Sequence, residues 1–324
     1  MLEIGFSVST YAIGLVGLIL WVLNLLRVSS GGTLIERRNQ RGIPFGFLDL
    51  ILLYFLMAAG NLVPSWLVCQ SLGIEIGEIS NLHGDALGIL SIANAAGLAI
   101  GITIALGIYR LRYGRIHLLG DIRLNLSRDV VLGLAAGFMV IPLILLFQAI
   151  ITSYSPYKHA TLEMLEAKPS LLVIMASWLS AVIVAPICEE IIFRGILQSW
   201  LQRIGRGVYD CLLIGGWDSV VLAKNGGSFL ENENERNPAE PWSRRSDSYW
   251  PMAISSLLFG LAHYGQGPAP FTLFFFGMVL GYLYYRTGSI TSCILLHMML
   301  NGFTMFWFTL QIFFGDASAS ASLE

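Results

Sequence analysis

The stretch APICEEIIFRG, residues 185–195, puts Glu189, Glu190 and Arg194 inside one of the most apolar parts of a very apolar chain. A charged side chain at the centre of a membrane helix costs about 2.5–3.5 kcal/mol on insertion scales. Two adjacent carboxylates there need a partner or a task. Glu190 and Arg194 are four residues apart, so they stack on one helix face and can pair. Glu189 lies about 100° around the helix from Glu190, at 3.6 residues per turn, and does not share that face. One carboxylate is then compensated and the other is left over, which suits a general base. The bland alternative is a structural ion pair, with Glu189 facing cytoplasmic water at the helix end.

The surroundings define the class. Of 324 residues, 55% are hydrophobic and 12% charged, against about 25% charged in a soluble domain. Apolar runs of spanning length, roughly 20 residues each, fall at 5–26, 45–69, 86–109, 130–151, 170–203, 250–264, 270–286 and 289–314. We expect an all-α polytopic membrane protein of about eight transmembrane helices. The fifth run exceeds one simple crossing, and Pro186 is expected to kink it, because proline removes a backbone donor and clashes with the previous turn. The sixth is short for a full crossing. The first run, preceded by no Lys or Arg, reads as a retained helix rather than a signal peptide. A net charge of −2 gives no indication of nucleic-acid binding.

Loop charge gives the orientation. Residues 27–44 carry Arg27, Arg37, Arg38 and Arg41 against Glu36, and residues 110–129 carry five arginines against two aspartates. The intervening loop, 70–85, has Glu75, Glu78 and Asp85 and no Lys or Arg. The positive-inside rule puts the basic loops in the cytoplasm and the N-terminus outside. Four membrane helices then occupy 1–169, and a second membrane unit fills 170–314. That unit is interrupted by a polar cytoplasmic insert at 204–249, in which DCLLIGGWDSVVLA (210–223) reads as a small hairpin. The tail 315–324 is of low complexity and is set aside. No internal repeat is visible. GxxxG occurs at Gly97/Gly101, Gly133/Gly137 and Gly277/Gly281, where small residues let helices approach closely. Bundle packing is the expected use, and a dimerisation face the alternative.

Few further ionisable residues fall in the spans. Asp49 sits near a helix end. FGLAHYG (259–265) sets Phe259 and His263 four apart, and LLHMMLNG (295–302) does the same for His297 and Asn301. Alone, His263 reads as a hydrogen-bonded core residue or a catalyst, and His297 with Asn301 as interhelical glue or a functional pair. If the three helices converge, the site holds a free carboxylate, two imidazoles and an amide. Those parts suffice to activate water and hold an oxyanion. His and Glu can ligate zinc, but HExxH is absent and the histidines lie on different helices, so no metal or cofactor is expected. The cysteines Cys69, Cys188, Cys211 and Cys293 form no CxxC. Cys188 is a rival nucleophile beside the glutamates. With no basic group one turn away to lower its pKa, it reads as a packing residue. The aromatic run 271–286 faces lipid or the bundle, or lines a groove for an apolar peptide.

The ordered triple EExxxR, FxxxH, HxxxN resembles the CPBP family (CAAX proteases and bacteriocin-processing enzymes, also called Abi), whose best-known members are Rce1-type CAAX prenyl endopeptidases. All three motifs are matched, by Glu189, Glu190 and Arg194, by Phe259 and His263, and by His297 and Asn301, and the resemblance covers about 170–305. It implies a metal-independent glutamate-dependent intramembrane endopeptidase acting on a membrane-associated or lipidated, for example prenylated, peptide or protein. By that resemblance Glu189 with His263 activates water, His297 and Asn301 stabilise the oxyanion, and Glu190 with Arg194, supported by Phe259, holds the geometry. The long insert departs from the family pattern. It is the main support for the alternative, a non-catalytic scaffold or bacteriocin-immunity-type protein that binds a peptide partner. A proton-relay transporter is a weaker third reading, given the lack of an inverted repeat.

Overall fold

A computed structural model of the chain describes residues 2–38, 44–74, 84–114, 122–154, 170–205, 212–216 and 248–314. All regular structure among them is helical: α1 (Leu2–Ser29), α2 (Phe47–Leu72), α3 (Asp85–Tyr113), α4 (Ile122–Tyr154), α5 (Leu171–Gly205), α6 (Trp250–Leu261), α7 (Ala269–Thr287) and α8 (Ile290–Phe314). Every expected span is thus a helix. Six of them, α1 to α5 and α8, are long and apolar enough to cross a membrane. The loop 75–83, most of the insert and the tail 315–324 lie outside the described residues.

One expected boundary changes. The sixth span was read to residue 264, but α6 stops at Leu261. The chain turns there through Gly265 and Gly267, both at positive φ, and Pro268, none of which favours continuation of the helix. At 12 residues α6 is about 18 Å long, short of the ~30 Å hydrocarbon core. At Pro186 the helical backbone continues, with wider turns to either side: π-helical turns occupy Leu179–Val184 and Ile191–Gln198, flanking the α-helical Ala185–Glu190. Of the expected hairpin at 210–223, residues 212–216 are described and form a turn; the rest lies outside the described residues.

The helices pack as a bundle in which α2 lies on α3, α1 and α8 lie on α4, α3 lies on α5, and α6 lies on α7. Leu53, Tyr109, Ile141, Ile196, Phe259, Phe276, Leu280 and Leu296 form one buried core drawn from α2 to α8. Outward faces carry exposed Leu, Ile, Val and Phe, as expected where the surrounding medium is lipid and only close packing distinguishes inside from outside. The GxxxG pairs lie at these contacts. A Cβ on Gly97 would stand 1.7 Å from the Gly60 carbonyl oxygen, and one on Gly101 2.5 Å from that of Leu56. Gly133 meets Ser292 and Leu295 of α8, Gly137 meets Met299, and Gly277 and Gly281 meet α6. All three pairs therefore serve packing within the chain. Gly97→Ala is expected to cost about 1–3 kcal/mol by overpacking, read as a lowered Tm in detergent; an unchanged Tm would refute the close α2–α3 approach.

One end of the bundle is tied by buried polar contacts. Asp49, in the first turn of α2, is buried. It accepts from the Gly46 N–H at 2.7 Å, the Tyr113 hydroxyl at 2.7 Å and Arg112 at 3.3 Å. Residues 212–216 lie over the same helix end: Phe47 and Leu48 donate to the carbonyls of Leu212 and Leu213, and Gly216 donates to that of Pro44. Gly215 has to be glycine, because its φ is +79° and a Cβ would stand 2.3 Å from the Tyr113 hydroxyl. The start of the insert thus supplies the acceptors that the first turn of α2 lacks. Asp49→Ala is expected to destabilise this corner by about 2–3 kcal/mol, and limited proteolysis should show faster cutting after α5. A second tie runs from the α1–α2 connection to α7. Arg38 donates its N–H to the Arg286 carbonyl at 2.9 Å, Arg286 Nε donates to the Ile35 carbonyl at 2.8 Å, and the Arg38 side chain pairs with buried Asp129.

Candidate active site

The first wide turn of α5, Leu179–Val184, runs directly into Pro186. In the first π-helical segment Ala185 donates to Ser180, five residues back. The next bond in that register would run from residue 186 to the Ala181 carbonyl, but proline has no N–H. The side chain of Asn301 on α8 makes it instead, donating through Nδ2 to the Ala181 carbonyl at 2.8 Å. Pro186 and Asn301 are thus one device. The missing donor opens a buried carbonyl, and the amide satisfies it and joins α8 to α5.

One turn further on, Glu190 and Arg194 are completely buried and paired at 3.1 Å, as the i,i+4 spacing predicted. The same Glu190 Oε1 accepts from His297 Nδ1 at 2.9 Å. That bond places a proton on Nδ1 and turns Nε2 of His297 toward Glu189, whose Oε2 is 3.8 Å away. Glu189 differs from its neighbour. Its side chain is 24% exposed, and no hydrogen bond to it occurs among the described residues. The two carboxylates are therefore set apart by position alone, Glu190 locked in a charged triad and Glu189 open at its edge.

Phe259 organises the cluster. Fully buried on α6, its ring lies 4.5 Å under the Arg194 guanidinium, a cation–π contact strengthened by desolvation. It also meets His263 at 5.3 Å and His297 at 5.8 Å between ring centroids. Phe276 of α7 closes the other side of His297 at 5.3 Å, edge-on. His263 is half-buried in the turn just past α6, and its Nδ1 contacts the Phe259 carbonyl at 3.0 Å. It caps that short helix as histidines often do and leaves Nε2 uncommitted. Glu189, Glu190, Arg194, Phe259, His263, His297 and Asn301 thus gather from α5, α6 and α8 around one point. Cys188 is buried, as a packing residue would be. Of the aromatic run, Phe271 and Phe275 face outward while Phe276 enters the site.

Several contributors were not singled out in the sequence. Phe276 is one phenylalanine of a run. Ser255 donates to the Phe193 carbonyl at 2.7 Å and Gln198 to the Gly281 carbonyl at 2.8 Å, and Arg194 reaches the Gly277 carbonyl at 3.2 Å. The one available signal was Gly277/Gly281, which marks where α7 exposes its backbone to α5. Among the described residues no group of three or more His, Cys, Asp or Glu is assembled for a metal ion.

These features define a multi-pass helical membrane protein whose C-terminal half carries a buried glutamate–histidine–arginine cluster. Residues 171–303 match the family described as type II CAAX prenyl endopeptidase, Rce1-like, and the match supports membership of that family through this region. The match supports protease activity of the CAAX type in general, in a membrane setting and on a peptide or protein substrate. No curated protein and no solved structure matches the chain.

Proposed function

We propose that the chain is a glutamate-dependent intramembrane endopeptidase in which Glu189 is the general base. The observation that carries this reading is the contrast within the pair: Glu190 is spent on Arg194 and His297, whereas Glu189 is partly exposed and faces His297 Nε2 at 3.8 Å. Glu189, with His263 Nε2, takes a proton from water as its oxygen attacks the scissile carbonyl carbon. The resulting oxyanion is held by the second N–H of the Asn301 amide, the first being committed to Ala181, and by His297 in the form that carries a proton on Nε2 as well as on Nδ1. The C–N bond then breaks, and the proton held by Glu189 passes to the leaving amine, so no covalent enzyme intermediate is required. Glu190, Arg194 and Phe259 fix the geometry without touching the reacting atoms.

The proposed substrate is a lipidated, for example prenylated, protein terminus presented at the membrane. The proposed setting is the cell membrane, with the basic loops and the site toward the cytoplasm. The test is a mass-spectrometric assay of purified protein and its Glu189→Gln variant on a prenylated CaaX peptide, with and without chelator. Cleavage after the prenylated cysteine that is lost in the variant and indifferent to chelator supports the reading in full. Loss on chelation overturns the metal-independent mechanism, and full activity in Glu189→Gln overturns the role of that residue.

A further inference from the structure

We propose that Gln198, outside all three sequence motifs, is a positioning residue that sets the register of α5 against α7 and thereby aims the glutamates. The inference rests on the protease reading above for its kinetic readout only.

Glu190, Arg194 and Gln198 are spaced four apart and are all fully buried. Residues four apart form a ridge along one side of a helix, so the three can pack against the neighbouring helices together. The last two members of the row make matching bonds: Arg194 Nη2 donates to the Gly277 carbonyl at 3.2 Å and Gln198 Nε2 to the Gly281 carbonyl at 2.8 Å. Donors one turn apart on α5 meet acceptors one turn apart on α7. Both acceptors are glycines, and a Cβ on Gly281 would stand 3.0 Å from Gln198 Oε1. Slipping one helix past the other breaks both rungs together. Arg194 is also the partner of Glu190, so the Gln198 rung fixes where the guanidinium, and through it Glu190 and His297, can sit.

The experiment compares the full chain with Gln198→Met, which keeps length and apolar bulk but removes the donor. Purified in detergent, the variant is expected to hold its Tm within a few degrees. Its kcat on the prenylated CaaX peptide should fall about tenfold to a hundredfold, as for small misplacements of catalytic groups, with KM little changed. Residue-resolved maleimide labelling gives a readout that needs no activity. Cys293 of α8 is buried, with Sγ 3.4 Å from the Leu280 carbonyl of α7 beside the Gly281 rung, and it should lose protection in the variant. Gln198→Leu removes the same donor with a shorter apolar side chain and should reproduce both effects, which keeps the test open if Gln198→Met does not fold. A fall in Tm with unchanged kcat and unchanged Cys293 protection would reduce Gln198 to a packing residue and overturn the proposal, as would no change in any readout. If wild-type protein does not cleave the peptide, the substrate reading fails by itself and the Cys293 labelling decides the register clamp.

Discussion

Glu189→Gln is expected to lower kcat on a cleavable peptide by about 10²–10⁴-fold, the range for loss of a positioned general base, while leaving Tm unchanged. The reason is its position. Glu189 sits at the open edge of the cluster and makes no hydrogen bond among the described residues, so replacing its carboxylate by an amide of the same shape removes chemistry and little stability. KM should move little, since an interaction made only in the transition state lowers kcat and kcat/KM alike. Steady-state kinetics with a thermal-unfolding scan on the same preparation checks both halves. A collapse in Tm would reassign Glu189 to structure.

Arg194→Met is expected to do the reverse. Its guanidinium is completely buried and neutralises Glu190 at 3.1 Å, lies over Phe259 at 4.5 Å, and donates to Gly277. Removing one partner of a buried pair leaves an uncompensated charge and costs about 3–5 kcal/mol. Much of the marginal stability of a domain is of that size, so the variant should appear mainly as lost folded yield in detergent by size-exclusion chromatography. The double variant Glu190→Gln/Arg194→Met, with no stranded charge, should recover folded yield over the single one. If the single variant folds as well as wild type, the buried pair is not the support described.

Arg194→Met and Glu189→Gln fail in different ways because the two carboxylates, adjacent in the chain, sit in different environments. The i,i+4 spacing of Glu190 and Arg194 made that division readable beforehand, since a helix admits only one of two neighbouring residues to a given face. The ordered motifs likewise singled out His263, His297 and Asn301. Other parts were not readable. Ala181 became an acceptor for a side chain only because Pro186 has no N–H to offer it and Asn301, 120 residues away, supplies one. Phe276 could not be told from its neighbours until α7 was rotated onto α8. The end of α6 was placed three residues late because apolar character continues past Leu261, while the turn that ends the helix depends on Gly265, Gly267 and Pro268 downstream.

The sequence by itself determined the membrane class, the eight helical segments and the family resemblance of the C-terminal half. Each of these is written in local terms: the length of an apolar run, helical periodicity, or a motif of fixed spacing. The tertiary structure alone decided that Glu190 takes both Arg194 and His297, that Phe259 lies against Arg194 and both histidines, and that the start of the insert closes the first turn of α2 beside Asp49. Those outcomes depend on the rotation and register of one helix against another. Both are set by small contacts, such as a glycine facing a carbonyl or an amide replacing a missing N–H, that join residues remote in the chain and leave no periodic trace in it.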